Sequence, residues 1–151
     1  TRTEYSFRFA YGKIQDIISK SKDCAVITDR HTTFGHIPFW NECQKQKKKA
    51  ILGVELAFVE NAYLKVRQTP YFVILIATMQ KGLTNIYELT SKASAHKYYF
   101  NRLSLKELRK LNENDVVVIF EDSKLSKYLM QRRNTYYGIS PMSNFQDYLS
   151  I

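Results

Sequence analysis

The hydrophobic pattern of this chain changes period repeatedly, from helical spacing to short apolar runs and back, and that alternation constrains the fold most. KIQDIISKSK (13–22) carries apolar residues at 14, 17 and 18, the spacing of a short amphipathic helix. CAVITD (24–29) reads as a buried strand. FGHIPFWNECQKQKKK (34–49) is helical after its opening turn, with Pro38 near the N-terminus. AILGVELAFVE (50–60) is a strand in which Gly53 allows a bulge or close packing. YFVILIAT (71–78), after Pro70, is a continuous apolar run, as expected of a strand covered on both faces. GLTNIYELTSKASAHK (82–97) and SLKELRKLNEN (104–114) are helices, the second opened by an S-x-x-E capping box of Ser104 and Glu107. DVVVIFE (115–121) is a strand, SKLSKYLMQRR (123–133) a helix, NTYYGIS (134–140) a weak strand and SNFQDYLS (143–150) the start of a further helix. This order predicts α/β architecture with a largely parallel sheet, in one domain or part of one.

In such folds ligands bind beyond the carboxyl ends of the strands. The rule selects Asp29, Arg30 and His31 after CAVITD, Glu55 or Glu60 on the next strand, and Glu121 and Asp122 after DVVVIFE. A strand ending on Asp-Arg-His has the look of the rim of a metal site. NAYLKVRQT (61–69) reads as the mobile loop. There is no repeat, low-complexity tract, Gly-rich phosphate loop, G-x-S-x-G elbow or zinc spacing.

Charge bears on partners. Lys and Arg number 23 against 14 Asp and Glu, a net charge of +9, which favours anionic partners: nucleic acid first, acidic protein or membrane surfaces as competitors. Cys24 and Cys43 lack CxxC spacing and read as small core residues in a reducing, cytoplasmic setting. No apolar run approaches the ~18 residues needed to cross a membrane, and no signal peptide opens the chain. A start at Thr1 and an end at Ile151 in mid-pattern suggest a piece of something longer.

RTEYS (2–6), ITDRHTTFG (27–35), ILGVE (51–55), YFVILIA (71–77) and GLTNIYELTSKA (82–93) together resemble the PHP (polymerase and histidinol phosphatase) domain. The nearest variant opens the bacterial and phage C-family replicative polymerases, the DNA polymerase III alpha subunits, which read HTEYS, LTDHxxxFG, IIGxE, YHLVLLA and GYxNLxxLxSxA in this order. YYFNRLSLKEL (98–108) continues the similarity. The resemblance implies a distorted (β/α)7 barrel, incomplete in this chain, with the rest of the barrel and the polymerase core outside it. It also implies divalent metals such as Zn or Mn in the PHP site, and Mg in a polymerase site further along the parent chain.

Position by position, that metal site is degenerate. The family's His in HTEYS falls on Arg2, the following Asp on Phe9, the His of TDH on Arg30 beside a retained Asp29, and the His of YHL on Phe72. A family Cys falls near Glu121 or Asp122. Among the ligand positions placed, Glu55 survives. Arg offers no lone pair and Phe no donor, so neither replaces a neutral imidazole. His31 and His36 are the candidate substitutes; each reads as a solvent-facing loop or helix-cap histidine, the alternative for His31 being a rebuilt site with Asp29 and Glu55. Arg2 and Arg30 are expected to stand in for the missing cations, with Glu55 in a bidentate bridge.

KQKKK (45–49) complements the end of its helix, or else Lys45, Lys47, Lys48 and Lys49 meet nucleic acid or an acidic partner. QRRNTYY (131–137) sets Arg132 and Arg133 near tyrosines, a mixture that binds single strands or simply forms a core strand. The resemblance implies a bracing role within a replicative polymerase, no catalytic residue in this chain, contact with primer-template DNA through the parent protein, docking of a proofreading exonuclease subunit in some members, and no membrane. The alternatives are an active metal-dependent phosphoesterase or 3′–5′ exonuclease with altered ligands, and a stand-alone basic nucleic-acid-binding module.

Overall fold

The computed structural model describes residues 1–6, 12–129 and 132–138. The β-branched and apolar runs form β1 (Cys24–Arg30), β2 (Lys49–Val59), β3 (Tyr71–Ala77) and β5 (Val116–Phe120), with short β4 (Arg102–Ser104) and β6 (Thr135–Tyr137). Between them lie α1 (Ile14–Lys20), α2 (His36–Lys45), α3 (Gln80–Ala95), α4 (Lys106–Lys110) and a 3-10 turn, Ser123–Leu125, running into α5 (Ser126–Leu129). The six strands make one open sheet of order β1-β2-β3-β5-β6, with β4 also paired to β2.

The sheet is mixed rather than largely parallel. β1 and β4 run parallel to β2, and β6 to β5, whereas β3 is antiparallel to both β2 and β5. The reason is the connection: only the helix-free segment 60–70 joins β2 to β3, and a parallel return needs a crossover of a dozen or more residues, usually helical. β3 is accordingly not covered on both faces; Val73 and Leu75 are buried and their neighbours half-buried. Among the described residues the sheet does not close into a barrel.

One face carries the main core. Val54, Leu56 and Phe58 of β2, Val73 and Leu75 of β3 and Val116, Val118 and Phe120 of β5 pack with Ile86, Leu89 and Ala93 of α3. A second cluster joins Ile14 and Ile18 of α1 to Ile27 of β1 and Phe39 and Cys43 of α2. Gly82 admits α3 onto β5, because an added Cβ would lie 1.9 Å from the Asp115 carbonyl oxygen.

Other sequence expectations are corrected locally. Cys24 is exposed at the start of β1, and only Cys43 is buried. The Ser104–Glu107 capping box is not formed: Ser104 ends β4, its hydroxyl accepts from the Ala62 N–H at 2.8 Å, and Glu107 pairs with Lys92 and Lys110. Of the expected helix over 123–133, Ser123–Leu125 is a 3-10 turn, Ser126–Leu129 is α-helical, 132–133 are not helical and 130–131 lie outside the described residues, as does the expected helix over 143–150.

Candidate functional site

β1 and β2 are in parallel register with Arg30 opposite Glu55, so both side chains stand on the sheet face away from the main core. Arg30 donates Nε to Glu55 Oε2 at 2.9 Å and Nη2 to Oε1 at 2.8 Å, a fork matched to a carboxylate. Arg2 adds its Nη2 to Oε2 at 2.6 Å. The Glu55 side chain is 7% exposed and those of Arg2 and Arg30 24% and 18%, so the cluster lies largely out of water. Phe72 of β3 lies beneath, with the Arg30 guanidinium carbon 4.1 Å from its ring centre, a cation–π contact. Two of the sequence-selected positions, Arg2 and Arg30, thus converge on Glu55, and a third, Phe72, lies against Arg30; Phe9 lies outside the described residues.

Asp29 points the other way. It is fully buried, takes a 2.6 Å hydrogen bond from the Thr3 hydroxyl, and accepts another from the Thr3 N–H. The Ser6 hydroxyl accepts from the Arg30 N–H at 3.1 Å, so segment 1–6 closes over the end of β1. Because strand neighbours face opposite sides, Asp29 and Glu55 do not form one ligand set.

His31 leaves the sheet with φ +63 and donates its backbone N–H to the Glu55 carbonyl at 2.8 Å. Its ring is not solvent-facing as expected; it lies 6.1 Å from Phe72 and 6.4 Å from Phe100. Burial, reinforced by the Arg30 charge, lowers its pKa to about 4, with Nδ1 buried and unpartnered among the described residues. His36 is likewise a core residue: at 1% exposure its Nε2 lies 2.9 Å from the Gly53 carbonyl oxygen and Nδ1 3.3 Å from the Tyr87 hydroxyl. Burial also lowers its pKa.

The basic candidates divide. Lys48 curls back to the C-terminal carbonyls of α1, meeting Ser21 O at 2.7 Å and also Ile18 O, so it serves that helix end rather than its own. Arg132 is spent in the same way on α4, donating to Leu108 O at 3.2 Å, Leu111 O at 2.5 Å and Asn112 O at 3.1 Å. It is therefore not a free nucleic-acid contact. Lys45 pairs with Glu42, while Lys47, Lys49 and Arg133 are exposed. Glu121 and Asp122 line a separate cavity of about 480 Å³ with Phe72 and Tyr137, and Glu60 is exposed beyond β2. Among the described residues no three His, Cys, Asp or Glu side chains gather as a metal site.

Sequence reasoning missed Thr3, Ser6, Phe100 and above all Arg102. That arginine is 1% exposed and donates to the carbonyl oxygens of Ala62 (3.3 Å), Leu64 (2.6 Å) and Val66 (3.0 Å), pinning the loop read as mobile. Its signal is a charged residue inside the apolar strand pattern of NRLSL; its three acceptors lie some forty residues away and leave no local trace.

The family model of the PHP domain matches residues 1–142. DNA polymerase III subunit alpha of Borreliella burgdorferi is 31% identical over 121 residues, covering 74% of this chain and 10% of that protein. The same subunit of Helicobacter pylori is 31% identical over 114 residues, 71% of this chain and 9% of that one. In Buchnera aphidicola it is 29% identical over 115 residues, 74% and 10%. The chain spans about a tenth of the length of the curated relatives it matches.

Proposed function

The chain belongs to the PHP domain family, and from that premise we propose that it is the N-terminal PHP-like domain of a replicative DNA polymerase III alpha subunit, with a degenerate metal site and a bracing role. In this reading the remaining strands of a barrel and the polymerase core belong to the parent protein, which works in the cytoplasm on primer-template DNA and offers a docking place to a proofreading exonuclease subunit.

The observation that carries the reading is the occupation of Glu55. Both of its oxygens are taken by guanidinium groups, at the positions where the family presents imidazole. This donor set does not fit a divalent cation: Arg2 and Arg30 supply positive charge and no lone pair, Phe72 supplies no donor, and the buried oxygens of Asp29 are held by Thr3 on the opposite face. The arginines balance the carboxylate that metal would otherwise neutralise.

The test is thermal unfolding with and without millimolar MnCl₂ or ZnCl₂, beside nucleotide release from a labelled primer. A ligand at about 100 times its Kd stabilises the native state by about 2.7 kcal/mol, an upward shift of several degrees. We expect no shift and no release. A saturable shift accompanied by release would establish the phosphoesterase alternative instead.

A further inference from the structure

The residues around Arg102 form a second, unassigned site. A cavity of about 780 Å³ is lined by Arg67, Tyr98, Tyr99, Phe100 and Arg102, with no carboxylate in its wall. That volume lies within the range of about 300–1,000 Å³ found for ligand pockets. Tyr99 stands on its rim, 79% exposed, at φ +62, a conformation that costs a bulky side chain energy and holds the ring out from the body. The turn beneath is braced by two contacts: the Tyr98 N–H donates to the Phe100 carbonyl at 3.1 Å, and the Tyr98 ring lies 4.8 Å from the Arg102 guanidinium carbon. Tyr98 and Tyr99 meet edge to face at 4.7 Å. Beneath them Arg102, fully buried, keeps an Nε with no partner among the described residues.

We propose that this cavity binds a segment of single-stranded nucleic acid, with bases stacked on Tyr99 and its aromatic neighbours and a phosphate drawn to exposed Arg67. An exposed ring, here Tyr99 with half-buried Tyr98 and Phe100 beside it, set next to guanidinium groups is a recurrent platform for single strands, because every base offers a π-face and every phosphate a charge. The absence of carboxylate from the wall and the net charge of +9 suit a polyanion. The chemistry sought in QRRNTYY is met here instead, where Arg67 is exposed and Arg132 is not available. This inference goes beyond the bracing role and does not depend on the state of the Glu55 site.

The test is fluorescence anisotropy of a labelled oligothymidylate of about ten nucleotides with the full 151-residue chain, as a function of salt. The wild type should bind the single strand more tightly than a duplex of equal length. Tyr99→Ala should weaken binding between about fivefold and a hundredfold, while Tyr99→Phe keeps it. Tyr99→Gly removes the ring yet accepts φ +62, so it should lose binding without losing stability. Arg67→Ala should lower the salt slope by about 0.7. Absence of binding, equal affinity for duplex, or unchanged binding by Tyr99→Ala would overturn the proposal. Binding that survives the loss of Tyr99 would assign the affinity to diffuse basic charge, and no binding at all would leave these rings to a protein contact.

Discussion

Arg30 shows how one side chain takes two jobs at once. Its fork satisfies Glu55 and its flat face lies on Phe72. Replacing Arg30 by Ala should cost about 2–3 kcal/mol in urea unfolding, below the full cost of breaking a buried pair because Arg2 stays on Oε2. A loss under about 0.5 kcal/mol would mean that water carries the pair. His31 supplies a pH signature. Its folded pKa of about 4 lies below the ordinary 6.5, so its neutral form is favoured by folding. Its stabilising contribution is complete above pH 6.5 and is lost as pH falls from there toward 4. Unfolding free energy measured across that window should therefore drop on acidification, His36 adding in the same direction. His31→Asn, which tolerates the left-handed backbone, should flatten the slope by the share of His31; an unchanged slope would remove that assignment.

At the scale of elements, the helices α1, α2 and α3 and the four principal strands were legible, because each buries its own local stripe. Strand direction was not. YFVILIAT is equally apolar in a parallel or an antiparallel partnership, and the choice was made by the helix-free connection before it. Loop 61–69 departs from its sequence expectation for a related reason. Its polar residues predict freedom, yet Arg102 fastens three of its carbonyl groups. Arg102→Met should leave those carbonyls unpaired and open the loop, so limited proteolysis should cut within 61–69 much faster than in the wild type. Arg102→Lys should not rescue it, since a point charge cannot span three acceptors. Equal digestion rates would show that the loop is held by its own side chains.

At the scale of the molecule, charge and packing act against each other. A net charge of +9 on 151 residues repels itself, while the ion pairs of Glu55 and Glu107 are sheltered from solvent on their acidic side. Salt screens the exposed repulsion more than these sheltered pairs. Raising NaCl from low to moderate concentration should thus raise Tm by about a few degrees, read by calorimetry. A fall in Tm would place most of the stabilising electrostatics at the surface. No helix among the described residues is long and apolar enough to cross a membrane.

The sequence by itself determined α1, α2, α3 and the four principal strands, and it singled out Arg2, Arg30, Glu55 and Phe72 as residues to watch. Both are properties of local pattern and side-chain chemistry. Only the tertiary structure decided that Arg2 and Arg30 meet at Glu55 while Asp29 turns away, because register and pleat assign each side chain its face. It alone decided which cations are available, since Lys48, Arg102 and Arg132 are drawn to carbonyl groups distant along the chain. A guanidinium looks the same in a sequence whether it waits for a phosphate or already holds a backbone.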